Sequence, residues 1–207
     1  MATIALVGNK GGAGKTTLAV NLASALSKLG NTLICDSDPQ GSSLQWRLIC
    51  ENEKAPQVID TAWDLCQQLE SIGRRHDHVV IDCPPSVNAM QTHEALCAAD
   101  VALIPVQPSP LDLWATVHID HAIEQARKVN PKLRALIVVN QLEPRTKLSQ
   151  LVRQGIDELG MPAAETSIHR RAIYRSCVLE GKSVFEMGKR GQAAVDELQQ
   201  LMQEVLG

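Results

Sequence analysis

Short apolar runs rich in β-branched residues alternate along this chain with longer stretches whose apolar positions recur at helical spacing. Thr3 to Val7 is the first run. Lys15 to Leu29 follows it, with Leu18, Leu22, Ala25, Leu26 and Leu29 on one stripe before Gly30 stops the helix. Thr32 to Cys35, His78 to Ile81, Val101 to Val106 and Leu133 to Val139 repeat the strand signal, and Glu165 to Ile168 reads as a short sixth strand. Helical periodicity fills the intervals at Thr61 to Ile72, Asn88 to Ala99, Leu111 to Val129 and Leu148 to Leu159, and two further helices lie near Arg170 to Leu179 and Gln192 to Leu206. Residues 47 to 60 read as polar and irregular.

Strands that are apolar on both faces and separated by helices predict an α/β fold, a doubly wound, mostly parallel sheet with helices on both sides. A single domain over residues 1 to 207 accommodates it. Such a sheet takes its ligand beyond the carboxyl ends of its strands, so the residues just after each strand are the candidates for chemistry.

The first strand ends at Gly8-Asn9-Lys10-Gly11-Gly12-Ala13-Gly14-Lys15-Thr16-Thr17, directly before the first helix. Closely spaced glycines let the backbone turn tightly and aim successive N–H groups at an anion. Lys15 adds a point charge for phosphates, Thr16 a hydroxyl for Mg²⁺, and the helix its positive N-terminal end. Asn9 stands where the general phosphate-loop pattern has a glycine, yet Lys-Gly-Gly-x-Gly-Lys-Thr-Thr is complete.

Three acids follow strands: Asp36, Asp38 and Asp82. A nucleotide hydrolase needs carboxylates to hold Mg²⁺ and a polar group to orient the attacking water, and Asp82, after His78-Val79-Val80-Ile81, suits the metal role.

With its second lysine, Lys10, the loop resembles that of the deviant Walker A ATPases of the ParA/MinD family, and the likeness extends over essentially the whole chain. The family pattern also matches Asp36-Ser37-Asp38-Pro39-Gln40 as switch I and Pro84-Pro85 as part of switch II. The resemblance implies an ATPase using ATP and Mg²⁺, with Lys10 to Thr17 (Lys10, Gly11, Gly12, Ala13, Gly14, Lys15, Thr16 and Thr17) around the nucleotide. It makes Asp38 the residue that orients water and sets Asp36 near the Mg²⁺ and Lys15. Lys10 reaches across an ATP-dependent homodimer to the partner's nucleotide. Asn140, after the fifth strand, and Ile168, within Thr166 to Arg170, lie against the adenine.

Net charge is −3, so an overall pull toward nucleic acid is lacking. Residues 145 to 190 nevertheless hold nine Lys/Arg against five acids. In a ParA-type protein this basic stretch, with Arg145, Lys147, Arg170, Arg171 and Arg175, supplies nonspecific DNA contacts. A small cargo-bound adaptor then stimulates hydrolysis, and a plasmid, carboxysome or other large cargo is distributed. Such a protein is cytoplasmic and nucleoid-associated. The absence of an N-terminal helix-turn-helix pattern points to the small ParA type.

Two alternatives within the family make different demands on the sequence. A MinD-like membrane ATPase needs a basic amphipathic C-terminal helix, but Asp196 to Gly207 is amphipathic and acidic, so no membrane contact is expected. A metallocluster carrier needs cysteines in Gly-rich surroundings, which Cys83 and Cys97 lack. The six cysteines are dispersed without a Cys-x-x-Cys, and His76, His78, His118 and His121 complete no zinc-type spacing. Trp46 and Trp114 read as packing residues or as dimer or switch contacts.

Overall fold

A computed structural model describes residues 2–72, 75–144, 146, 151–152, 154–156, 158 and 160–207. β1 (Ala2–Leu6) passes through the glycine loop into α1 (Lys15–Leu26), followed by β2 (Thr32–Asp36), α2 (Ser42–Ile49), β3 (Gln57–Asp60), α3 (Leu65–Ile72) and β4 (His78–Asp82). Next come α4 (Met90–Ala98), β5 (Val101–Val106), α5 (Pro110–Arg127), β6 (Arg134–Leu142) and β7 (Ile168–His169), then α6 (Ala172–Leu179) and α7 (Gln192–Leu206). The seven strands form one sheet in the order β3-β2-β4-β1-β5-β6-β7, with every pairing parallel.

Strand periodicity divides the core into two layers. Ala5, Leu33, Cys35, Val79, Ile81 and Ile104 pack with Leu65, Leu96, Ile119 and Ile123 from α3, α4 and α5. The alternate positions Ile4, Leu6, Ile34, Val80 and Leu103 pack with Leu18, Leu22 and Leu26 of α1 and Leu198, Leu201 and Val205 of α7. α1 is buried nearly all round, and alanines at 19, 23 and 25 let it lie close to its neighbours. From β1 the chain crosses toward β2, whereas from β4 it crosses beyond β1 to β5, so the connections part at β1 and leave a crevice at its carboxyl end.

The fold agrees with the expected doubly wound sheet but adds two elements. Residues 47 to 60, expected to be irregular, contain the end of α2 and all of β3. β3 is a four-residue edge strand without a fully buried position, and α2 buries only Ser43 and Trp46, so neither leaves a clear periodic signal. The expected helix at Leu148 to Leu159 lies partly outside the described residues; 151–152, 154–156 and 158 are helical.

Asn21, fully buried in α1, ties this helix to the turn at Val184–Glu186. It accepts the Val184 N–H at 2.8 Å, and its amide donates to the Thr17 carbonyl at 2.7 Å. Asn21→Leu strands the Val184 N–H and is expected to lower stability by about 1–3 kcal/mol. Urea unfolding checks this, and an unchanged midpoint counts against the tie.

Candidate functional site

The loop from Gly8 to Thr17 occupies the β1 crevice. Gly12 (φ 80°) and Gly14 (φ 90°) adopt left-handed backbone that L side chains rarely take, and a Cβ on Gly14 would sit 2.4 Å from Asn140 Nδ2. Lys15 is only 7% exposed, and its Nζ donates to the Lys10 carbonyl at 3.2 Å. Burial lowers the Lys15 pKa, opposed by the charges of Asp82 and Asp38 among others. A buried ammonium held by one carbonyl in an acidic surround is available to an incoming anion.

Parallel register sets Asp36 and Asp82 side by side at the ends of β2 and β4. Asp82 is wholly buried, and its Oδ2 accepts from Ser43 Oγ at 2.7 Å. Its Oδ1 has no hydrogen-bond partner among the described residues. Burial pushes the carboxyl up to about 6; hydrogen bonds from Ser43 and Thr16 pull it down, Asp36 pushes it up, and Lys15 lowers it. An orphaned buried carboxylate oxygen beside the Thr16 hydroxyl is a donor set that fits a hydrated Mg²⁺.

Asp36 has different work. Its Oδ2 accepts the Leu44 N–H at 2.9 Å and its Oδ1 the Asp38 N–H at 3.2 Å. Burial raises its pKa and those N–H groups lower it. Both oxygens accept backbone N–H groups, so Asp36 holds the start of α2; each oxygen has a second lone pair, so these bonds are compatible with the place near Mg²⁺ and Lys15 that the sequence led us to expect. Asp38 is half-buried in the following turn, its Oδ1 accepting the Gln40 N–H at 3.0 Å, and its charge acts on Lys15.

Lys10 is engaged within its own chain, with Nζ 2.7 Å from Asp112 Oδ1 at the start of α5. Asn140, near the end of β6, and Ile168, which opens β7, are register partners. Both line a cavity of about 140 Å³ with Gly14, Thr17, Leu18 and Tyr174, apolar enough on one side for a flat base. The sequence missed Gln107 and Gln141, which both donate to the Gly12 carbonyl, at 2.6 and 2.9 Å. It also missed Ser43 and Asp112. Gln107 carried a signal that was there to find, an amide side chain just after a strand, and Gln141 sits at the last residues of β6.

Among the described residues expected at DNA, two are already in ion pairs. Arg170 pairs with Glu143 at 2.6 Å, and Arg171 with Glu197, which His169 Nδ1 also meets at 2.8 Å. Arg170, Arg171 and Arg175 line the cavity, whereas Arg145 and Lys147 lie outside the described residues. Trp46 is a core residue, 2% exposed, whose indole N–H donates to the Lys182 carbonyl; Trp114 is exposed on α5 beside Leu111 and Val117.

A carboxyl raised on folding makes the folded state bind its proton more tightly, so ionising Asp82 costs stability. That loss grows from pH about 4, where the unfolded carboxyl titrates, and is complete above about 6. Asp82→Asn is therefore expected to stabilise the ligand-free protein by up to about 3 kcal/mol at pH 8, with the advantage vanishing at pH 4. Unfolding midpoints across pH measure it, and a gain that persists at pH 4 contradicts the assignment.

Residues 4–184 match the model of the CobQ/CobB/MinD/ParA nucleotide binding domain. The chain is similar to Maintenance of carboxysome distribution protein A of Halothiobacillus neapolitanus, 42% identical over 99% of this chain and 96% of the relative. It is also similar to the chromosome-partitioning ATPase Soj of Thermus thermophilus, 33% identical over 72% of this chain and 73% of that one. Among solved structures, apo McdA from Cyanothece superposes with a TM-score of 0.83 at 19% identity, covering 100% of both chains, which is agreement of fold. With the loop, the paired strand-end acids and a matching domain model on one chain, it belongs to the MinD/ParA nucleotide-binding family.

Proposed function

We propose that this chain is an ATP-hydrolysing positioning protein of the ParA type whose cargo is the carboxysome. The observation that carries the mechanism is the separation of its two loop lysines. Lys15 is buried in the phosphate cradle, while Lys10 points away to Asp112 with its side chain 40% exposed. One lysine serves the nucleotide of its own chain, and the second is free to serve a partner's once it leaves Asp112. The exposed Leu111, Trp114 and Val117 recur every three residues along α5, the helix that carries Asp112, and suit burial in a homodimer. The cargo rests on the relative from H. neapolitanus, whose name concerns carboxysome distribution.

ATP and water give ADP and phosphate. The loop N–H groups, Lys15 and the α1 N-terminus hold the phosphates; Asn140, Ile168 and Tyr174 enclose the base. Thr16 and Asp82 would hold Mg²⁺, which would supply charge neutralisation at the phosphates. Asp38 orients the attacking water, and Lys10 of a second copy stabilises charge at the transferring phosphoryl group. Asp36 and Ser43 couple this site to α2, because the buried carboxylates they touch or carry hold the helix start.

The dimer binds nucleoid DNA without reading bases, through phosphate contacts from the basic stretch that holds Arg145, Lys147, Arg170, Arg171 and Arg175, with Arg170 and Arg171 exchanging their Glu143 and Glu197 partners for phosphate. A small adaptor on the cargo stimulates hydrolysis and releases the dimer. α7 directs Ala194, Leu198, Leu201 and Val205 into the core, which leaves its apolar face unavailable to a membrane surface.

In gel filtration with ATP, Lys10→Ala is expected to stay monomeric and Asp38→Ala to accumulate as a DNA-bound dimer with turnover reduced about a hundredfold. Wild-type turnover in Asp38→Ala, or an intact dimer in Lys10→Ala, overturns these roles. Binding of the ATP form to random-sequence DNA is expected to fall by roughly tenfold or more between 50 and 200 mM salt. Salt-insensitive binding removes the electrostatic account.

A further inference from the structure

Two consecutive carbonyl groups of the phosphate loop are gripped by side-chain amides from the ends of β5 and β6. Gln107 Nε2 and Gln141 Nε2 donate to the Gly12 oxygen at 2.6 and 2.9 Å, and Asn140 Nδ2 donates to the Ala13 oxygen at 2.7 Å. A carbonyl oxygen has two lone pairs, so the Gly12 oxygen is saturated by this pair of donors.

The peptide group is planar and trans, so its N–H points opposite to its C=O. Fixing the Gly12 oxygen therefore fixes the Ala13 N–H, and fixing the Ala13 oxygen fixes the Gly14 N–H. We propose that Gln107, Gln141 and Asn140 act as a three-amide clamp that presets the Ala13 and Gly14 N–H groups to face the phosphates before nucleotide arrives. This rests on the reading of the loop as the nucleotide site.

Three observations support a clamp over incidental contacts. The loop between Gly11 and Gly14 contains three glycines, the residue type with most backbone freedom, and so cannot hold its own peptide planes. Gln141 is the one non-glycine described residue with positive φ, at 58°, a conformation that persists only where surrounding contacts fix it. That backbone accompanies a side chain aimed at Gly12. Asn140 approaches so closely that a Cβ on Gly14 would collide with its amide nitrogen. The loop glycine and the strand-end amide thus require one another. Asn140, expected from sequence to contact adenine, acquires a second task at the loop.

The gain is preorganisation: donors already aimed at an anion need no reordering when it binds. Gln107, Gln141 and Asn140 are positioning residues, acting on phosphate through the backbone they hold.

The test uses the full chain with Gln107→Leu, Gln141→Gly and the double variant, measuring Kd for Mg–ADP and Mg–ATP, KM, kcat and the melting temperature without nucleotide. Glycine accepts positive φ freely, so Gln141→Gly removes the donor without new strain. Each single variant retains one donor and is expected to weaken binding about threefold, the double variant by at least about thirtyfold. ATP and ADP are weakened alike, and the loss appears in Kd and KM more than in kcat. Gln107→Glu gives an independent readout: its carboxylate opposes the Gly12 oxygen at pH 8, whereas the protonated acid near pH 5 regains a donor. Its affinity relative to wild type at the same pH is therefore expected to recover as pH falls.

Wild-type affinity in the double variant overturns the clamp. So does a drop in melting temperature with unchanged affinity, or a pH-independent Gln107→Glu ratio; the last decides the matter should the double variant not fold. Lys15→Ala separates the two levels. If it binds nucleotide like wild type, the loop assignment itself fails; if it loses nucleotide while the clamp variants keep it, only the clamp fails.

Discussion

A loop that binds a polyphosphate must keep several backbone N–H groups unpaired and aimed at one point, and neither helix nor strand hydrogen bonding can hold them there. Everything around Gly8 to Thr17 answers that requirement. α1 begins at Lys15, the end of the loop, and is buried on almost every side, so the helix terminus is fixed by the core. β1 is the strand at which the sheet connections diverge, which opens space without cutting a cavity into packed side chains. Amides from the two strands' ends then reach the loop carbonyls. The helix, the sheet order and the strand-end residues each supply a constraint that the loop lacks.

The same arrangement concentrates uncompensated charge. Asp36 and Asp82 are neighbours in register and fully buried, and Lys15 beside them is largely desolvated. Burial is the main force raising both carboxyls, with neighbouring carboxylates adding to it. Besides Thr16 in α1, which acts on Asp82, their hydrogen bonds run to Ser43, Leu44 and the Asp38 N–H, in or before α2. A ligand that changes the charge at Asp82 therefore acts on the start of α2 through one hydrogen bond, without any long relay. This is a local route from nucleotide state to surface, since α2 ends with Leu48 and Ile49 exposed.

How much of this could be read from residues alone follows from where the signal lay. The strands with buried alternation on both faces, such as Val79 to Ile81, and the long helices were readable because burial dictates composition at nearly every position. α2 and β3 were not, since each buries too few side chains to impose a period. The loop was readable because a phosphate cradle needs particular residue types at fixed spacing, and the position of Asp82 was readable because a buried apolar run leads straight into it. Asp36 was placed correctly at a strand end, but its hold on the start of α2 was not legible, because the fold and not local spacing brings the Leu44 N–H to it. Arg171 shows the same limit for charge. Its partner Glu197 lies 26 residues away, beyond any count of local basic residues.

The contrast between the two lysines shows why one motif can both bind and switch. Lys15 is buried, and removing it leaves its acidic neighbours uncompensated, so its position is set by the fold. Lys10 is held by a single, partly exposed ion pair, an interaction worth about 0–1 kcal/mol. Such a contact orders the side chain and can be exchanged for a better one at little cost. A partner's triphosphate in a water-excluding interface is a stronger attractor, because the same charge acts there through a lower dielectric. Asp112 lies on α5, the helix bearing Trp114, so moving Lys10 and covering the apolar face are events on one element. On the proposed reading, dimer formation and the second lysine's transfer are then a single step, and ATP controls both through the loop that separates them.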